Sequence, residues 1–174
     1  MTIAPNESLS RLPKGFLGNL IQVCVVSPDY KATIRRMQQA GICDCSAFTF
    51  DSRSCTDLSY YGKPADLSMK VCFGSAGTMT WEVIQPLRGP TIHQDFLARH
   101  GEGIQYVAFD CNNLTWNEKL AGFNAAGFEM IQSGRWLNQT PWGYLGTEDR
   151  AGTTIEIWNN PPDWQRPKPY EVFD

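Results

Sequence analysis

The chain is poor in histidine, nearly balanced in charge and without a long apolar run. Its 174 residues contain two histidines, His93 at a helix start and His100 at a helix end. At the helix end a last-turn dipole contact explains His100 without any metal. The formal net charge is −3, and no Lys/Arg run is longer than the pair Arg35-Arg36. The electrostatic footprint of a nucleic-acid partner or an anionic membrane is therefore missing. No apolar stretch approaches the roughly 18 residues of a membrane span. The first residues include Asn6, Glu7, Ser8 and Arg11 and lack the apolar centre of a secretory signal. The expectation is a cytoplasmic protein whose partner is a small molecule. Six cysteines, Cys24, Cys43, Cys45, Cys55, Cys72 and Cys111, fall mostly in or beside strand-like runs, as buried thiols do in a reducing compartment. Cys43-x-Cys45 lacks the second cysteine pair that a zinc site needs.

What is present is a repeated plan. Leu20-Ile-Gln-Val-Cys-Val-Val26 and Gly103-Ile-Gln-Tyr-Val-Ala-Phe-Asp110 both alternate as strands and both feed a helix. In the first, Ser27 is the expected helix cap with Pro28 at the first position, and Tyr30, Ile34 and Met37 recur at helical spacing until Gly41. Cys43 to Phe50 reads as a strand and Asp51 to Asp66 as a long loop. Ser68 to Phe73 and Met79 to Ile84 form a hairpin that completes a βαβββ unit. Thr91-Ile-His-Gln94 and Thr115-Trp-Asn-Glu118 have the capping-box form. After the second box, strands over Phe128 to Ser133, Gly143 to Thr147 and Thr153 to Trp158 complete a second βαβββ unit, with turns at Gly134 to Pro141 and Glu148 to Gly152.

The domain division that follows is an irregular arm over 1–16, a first module with its linker over 17–90, a helix and second module over 91–158, and a Pro-rich strap over 159–174. The strap carries Trp164, Tyr170 and Phe173 and should lie extended against the body. The fold class is α+β, with two βαβββ modules cupping a mixed sheet.

Four polar residues occupy matched places in the two units: Gln22 and Glu82 in one, Tyr106 and Glu156 in the other. The neighbours of the acids, Trp81 and Val83, Ile155 and Ile157, point the opposite way along each strand. If those neighbours face the helices, the four face a common concavity. For any one of them, the solvent side of a sheet is an equally good explanation; the repetition favours a site. Two acids in one cavity repel, so one can hold a proton while the other acts as base, and Tyr106 can donate to a developing oxyanion. Tyr60, Arg135, Trp136 and Tyr144 are candidate lining residues for a ring-bearing ligand, with Gln22 among the substrate-binding set.

At Phe96-Leu-Ala-Arg-His-Gly-Glu-Gly-Ile-Gln-Tyr-Val-Ala-Phe-Asp110 and Trp81-Glu-Val-Ile-Gln-Pro86 the chain resembles the vicinal oxygen chelate superfamily. That superfamily includes glyoxalase I, methylmalonyl-CoA epimerase, extradiol dioxygenases and bleomycin-resistance proteins. The resemblance spans about residues 17 to 160. It implies a cupped, largely β site with a divalent metal on one residue from each of four strands, and the matching positions are Gln22, Glu82, Tyr106 and Glu156. Tyr106 stands where the epimerase-like pattern has histidine, and Gln22 where many members have it. The all-oxygen set, with Gln22, Glu82 and Glu156 as metal ligands, suits Mg²⁺ or Mn²⁺ if any ion.

The resemblance implies an isomerase, epimerase or lyase that abstracts a proton beside a carbonyl through an enolate, with Glu156 the first choice of base and Glu82 the second. The alternatives are a non-catalytic binding protein of the resistance type and a cyclase or rearrangement catalyst for a polyketide or terpenoid in secondary metabolism. Whether the modules pair within one chain or between the two chains of a homodimer is left open.

Overall fold

Every second residue of Leu20–Val26 (β1) is buried, namely Gln22, Cys24 and Val26, while the residues between them are half-exposed. The first of the buried three is polar, which already marks the inward face as more than a hydrophobic core. The computed structural model describes residues 11–173. The expected arm over 1–16 thus falls largely outside the described residues. Its last residues pack on the body, with Phe16 edge-on to Phe123 at 5.2 Å.

The helix Tyr30–Gln39 (α1) starts two residues later than expected. Asp29, not Ser27, is its cap, accepting from the Ala32 N–H at 3.0 Å. Ser27 instead accepts the Asp29 N–H at 3.0 Å and the Thr33 hydroxyl at 2.8 Å, so it fixes the chain's entry into the helix. Cys43–Phe50 (β2) follows.

The region expected as a loop over 51–66 contains two strands, Cys55–Tyr60 (β3) and Lys63–Pro64 (β4). They turn on Tyr61 and Gly62, both at positive φ. The partner of β3 lies far along the chain, so its Ser- and Asp-rich local sequence gave no strand signal. Ser68–Ala76 (β5) and Met79–Arg88 (β6) form the expected hairpin.

Ile92–His100 (α2) is capped by Thr91, which accepts from the Gln94 N–H at 3.0 Å. Gly103–Asp110 (β7) leads to Trp116–Ala125 (α3), whose Thr115–Glu118 capping box is complete. Met130–Trp136 (β8) and Thr140–Leu145 (β9) run straight through the segment expected as a turn. The reversal is confined to 137–139, where Leu137 and Asn138 adopt left-handed φ. Gly134 is not a turn residue here: a Cβ would collide with Trp142 and Leu58. Glu148–Ala151 (α4), Thr154–Trp158 (β10) and Glu171–Phe173 (β11) complete the chain.

All strands belong to one sheet, in the order β11-β2-β5-β6-β1-β7-β10-β9-β8-β3-β4. Two βαβββ modules, β2-β5-β6-β1 and β7-β10-β9-β8, meet edge to edge within this one chain. The antiparallel β1·β7 pair joins them, with Cys24 opposite Tyr106. The β3–β4 hairpin of the first module extends the far edge of the second, Cys55 opposite Trp136. The sheet curls into a half-barrel. On its convex side α1 covers Cys45, Ala47, Cys72 and Val83, and α3 covers Leu145 and Ile157. The concave side holds the largest core, including Phe48, Phe50, Phe73, Trp136, Trp142 and Trp158. Helix α2 packs on β6, β1 and β7 and closes one end of the cup. Among the described residues, no helix is long and apolar enough to cross a membrane, and all six cysteines are free.

Candidate active site

The four central strands β6, β1, β7 and β10 bring the matched polar residues together. Glu82 lies opposite Cys24, and Cys24 opposite Tyr106, in one row across the sheet. Gln22 and Glu156 both lie opposite Ala108, and Glu156 opposite Tyr144, in the next row. Because side chains alternate with period two, both rows point into the cup. Val83 packs under α1, and Ile155 and Ile157 under α3, which fixes the acids on the concave face. Ala108 between Gln22 and Glu156 leaves room for its larger neighbours.

The cluster is dry. Glu82 and Glu156 are 2 % and 1 % exposed, Gln22 5 %, and Tyr106 fully buried. The Tyr106 hydroxyl donates to Glu82 Oε2 at 2.5 Å, and the Gln22 amide N–H reaches the same oxygen at 3.4 Å. Tyr144 donates to Tyr106 at 3.3 Å.

The two acids therefore sit in different environments. Burial raises the Glu82 pKa to about 7, held back by the Tyr106 hydrogen bond and then by the Arg166 guanidinium. Burial also drives Glu156 well above the usual carboxylate range, and the Glu82 charge pushes it further. The nearby Tyr144 hydroxyl lowers it, but neither Glu156 oxygen has a well-formed hydrogen bond among the described groups. Near pH 7 Glu82 is partly ionised and Glu156 protonated. Burial likewise keeps Tyr106, Tyr144 and the Cys24 thiol neutral, all with pKa raised.

Among the described residues, the buried side-chain polar atoms without a protein partner are Gln22 Oε1, both Glu156 oxygens and Trp142 Nε1. All belong to strands that build this face. Native interiors leave few such atoms, and each needs a partner that the protein itself does not supply.

The donor set does not fit a resident divalent ion. Tyr106 is a neutral phenol whose hydrogen already occupies a Glu82 oxygen, and Gln22 turns its amide nitrogen, not its oxygen, toward Glu82. Two carboxylates remain. Among the described residues no three His, Cys, Asp or Glu side chains converge as a metal site.

Of the expected lining residues, Trp136 and Tyr144 are inside the cup. Arg135 is not: it alternates with Trp136 onto the outer face, 3.5 Å from Asp57. Tyr60 lies at the α2 end, donating to Asp95 at 2.6 Å.

His93, given no site role from the sequence, lies beside the cluster. It is fully buried, with its ring edge-on to Tyr144 at 5.1 Å. The Ile92 backbone orients two amides, its carbonyl accepting from Gln105 and its N–H donating to Gln132. Gln105 Oε1 then accepts from His93 Nδ1 at 2.7 Å, and Gln132 Nε2 donates to His93 Nε2 at 3.4 Å. That fixes one neutral tautomer, and burial lowers the pKa to about 4. Nothing in the local pattern of α2 signalled this, because His93 sits in the capping turn. Cys24 was legible from its alternation with Gln22. Arg166, in the strap, had no signal.

Comparison with known proteins agrees with this architecture. No curated protein sequence matches the chain significantly. A methylmalonyl-CoA epimerase from Mycobacterium tuberculosis superposes with a TM-score of 0.62 at 14% identity, covering 90% of this chain and 97% of that one. A variant of the Streptomyces coelicolor methylmalonyl-CoA epimerase, in complex with 2-nitronate-propionyl-CoA, gives 0.57 at 16% over 87% and 99%. A hypothetical protein from Bacillus halodurans gives 0.59 at 16% over 85% and 98%. At such identities the likeness is one of fold. The sequence model described as the glyoxalase/bleomycin resistance protein/dioxygenase superfamily matches residues 21–143, from β1 into β9, and the chain belongs to that superfamily.

Proposed function

We propose that the protein isomerises a small carbon acid by proton transfer beside a carbonyl, with Glu82 as base and Glu156 as acid. The observation that carries this is the unequal carboxylate pair in one buried cluster: Glu82 has two donors and a pKa of about 7, and Glu156 has none and is raised further. A base poised near neutrality beside a protonated acid is the arrangement that general acid–base catalysis needs. In the forward step Glu82 takes the proton from carbon, and the C–H electron pair passes into the carbonyl as an enolate. Glu156 then delivers its proton to carbon, so the substrate leaves with its formula unchanged. Solvent exchange after release returns Glu82 to the ionised and Glu156 to the protonated state. These roles reverse the order favoured from sequence, because only the structure shows which acid has hydrogen-bond donors. The likeness of fold to methylmalonyl-CoA epimerases supports the reaction class and leaves the substrate open.

The test is exchange of a ligand's carbon-bound hydrogen with deuterium from D₂O, followed by NMR. Glu82→Gln and Glu156→Gln should each slow exchange by roughly 10² to 10⁴ while retaining ligand affinity. Parental exchange rates in both variants would overturn the assignment.

A second reading, non-catalytic binding of a small apolar molecule, is favoured by one observation: aromatic side chains fill much of the concave face. It expects no exchange in the parent protein and near-equal affinity in all three forms.

A further inference from the structure

At the end of the cup away from α2 lies a cavity of about 200 Å³. Its walls include Gln22, Phe73, Trp136 and Trp158, and its outer side is formed by Trp164 and Arg166 from the segment after β10. A β-bulge between Leu20 and Gln22 turns Ile21 into the same wall. The cavity adjoins the acid pair laterally: Gln22 contacts Glu82 and lies in the same row as Glu156, and Phe73 lies opposite Glu82.

Three properties of this cavity define what would occupy it. The walls are flat aromatic rings, with Trp164 5.2 Å from Trp136 and Trp136 6.1 Å from Trp158. Its cation, Arg166, stacks over Phe73 at 4.8 Å and makes no ion pair within 4 Å among the described residues, leaving its guanidinium edge available. Its innermost polar group, Gln22, keeps Oε1 buried without a donor. A cavity of roughly 150 Å³ holds a benzene ring, so this one takes a single ring with a small polar substituent.

We propose that the protein's ligand is a small, ring-bearing carboxylate that also carries a hydroxyl, with the carboxylate on Arg166 and the hydroxyl donating to Gln22. This rests on the reading of the cup as the site of chemistry, and adds the substrate class. The planar guanidinium matches a carboxylate with two parallel hydrogen bonds, which a neutral amide cannot reproduce. The rings of Trp136, Trp158 and Trp164 supply stacking for the body of the molecule. The strap is thereby a specificity element for the site.

Three probes test it by calorimetry on the intact protein: 3-hydroxybenzoate, benzoate and 3-hydroxybenzamide. The expected order of affinity is 3-hydroxybenzoate over benzoate, and both over the uncharged amide. Arg166→Gln should weaken 3-hydroxybenzoate by about tenfold or more, the scale of a lost charge-assisted pair, and change 3-hydroxybenzamide by less than about twofold. Arg166 is exposed, so the variant is expected to fold. The proposal is overturned if no probe binds, if the amide binds as tightly as the acid, or if Arg166→Gln weakens both alike. These are binding measurements on probes without an acidic carbon–hydrogen bond, so their outcome is separate from that of deuterium exchange: selective acid binding supports the ligand class whichever way the exchange test falls.

Discussion

Glu156 is the residue on which stability and function pull in opposite directions. Its carboxyl is protonated in the folded chain over a pH range in which the unfolded chain, near the ordinary value of 4.5, has lost the proton. The unfolded state then binds fewer protons, so stability falls as pH rises above about 4.5 toward the raised folded value. Glu156→Gln removes that slope. The stability of the variant relative to the parent should therefore grow with pH, by at most about 1.4 kcal/mol per pH unit, read from urea unfolding at pH 5, 6 and 7. His93 contributes the opposite slope between about 4 and 6.5, since it stays neutral when folded, and it cancels in the comparison because both proteins contain it. A difference that is constant with pH would mean that Glu156 is not buried as a neutral acid. Alternation and repetition in the sequence identified Gln22, Glu82, Tyr106 and Glu156 as sharing a face. They said nothing of the hydrogen bonds that make the acids unequal, since those depend on rotamers and on which strands are neighbours. Arg135 shows the limit of reading proximity from sequence: next to an inward Trp136, it points outward for the same period-two reason.

At the level of elements, β8 and β9 show how packing overrides local turn signals. Gly134 and Pro141 read as a turn, yet Arg135 and Pro141 face each other within a regular antiparallel ladder, and the glycine is there because Trp142 and Leu58 fill the space of its missing side chain. Gly134→Ala should therefore cost about 1–3 kcal/mol, as overpacking does, lowering the thermal midpoint by roughly 2–4 °C per kcal/mol for a chain of this size. Gly103→Ala is the control. Its φ is not in the left-handed region, and the nearest atom to an added Cβ is Phe96 Cζ at 4.0 Å, an ordinary contact. It should be neutral within about 1 kcal/mol. Equal midpoints for the two variants would show that Gly134 is not a packing residue. The same non-locality hid β3. Its pairing with β8 joins residues 72 to 81 positions apart, while its own sequence offers only Cys55 and Leu58 as inward apolar positions.

For the whole molecule, the two-module plan was readable because each module announces itself by strand alternation and helix caps. How the modules join was not readable, because edge-to-edge pairing of β1 with β7 leaves no local mark on either strand. The last segment closes the assembly. Strand β11 pairs with β2, Tyr30 and Tyr170 hydroxyls lie 2.6 Å apart, Lys31 reaches Glu171 at 2.6 Å, and Trp164 packs on Trp136. The ten strands that build both modules are complete without it. A chain ending at Asn160 should accordingly keep its strand content by far-UV circular dichroism. It should lose the burial of Trp164 and Phe173, worth about 2 kcal/mol or more together, or roughly 4–8 °C in thermal midpoint. With the outer wall of the cavity gone, Trp136 becomes accessible, so acrylamide should quench tryptophan fluorescence more strongly than in the full chain, although the half-buried Trp164 has been removed. An unchanged midpoint with unchanged quenching would mean that the segment neither stabilises the sheet nor covers the cup, and the specificity assigned to Arg166 would lose its structural basis.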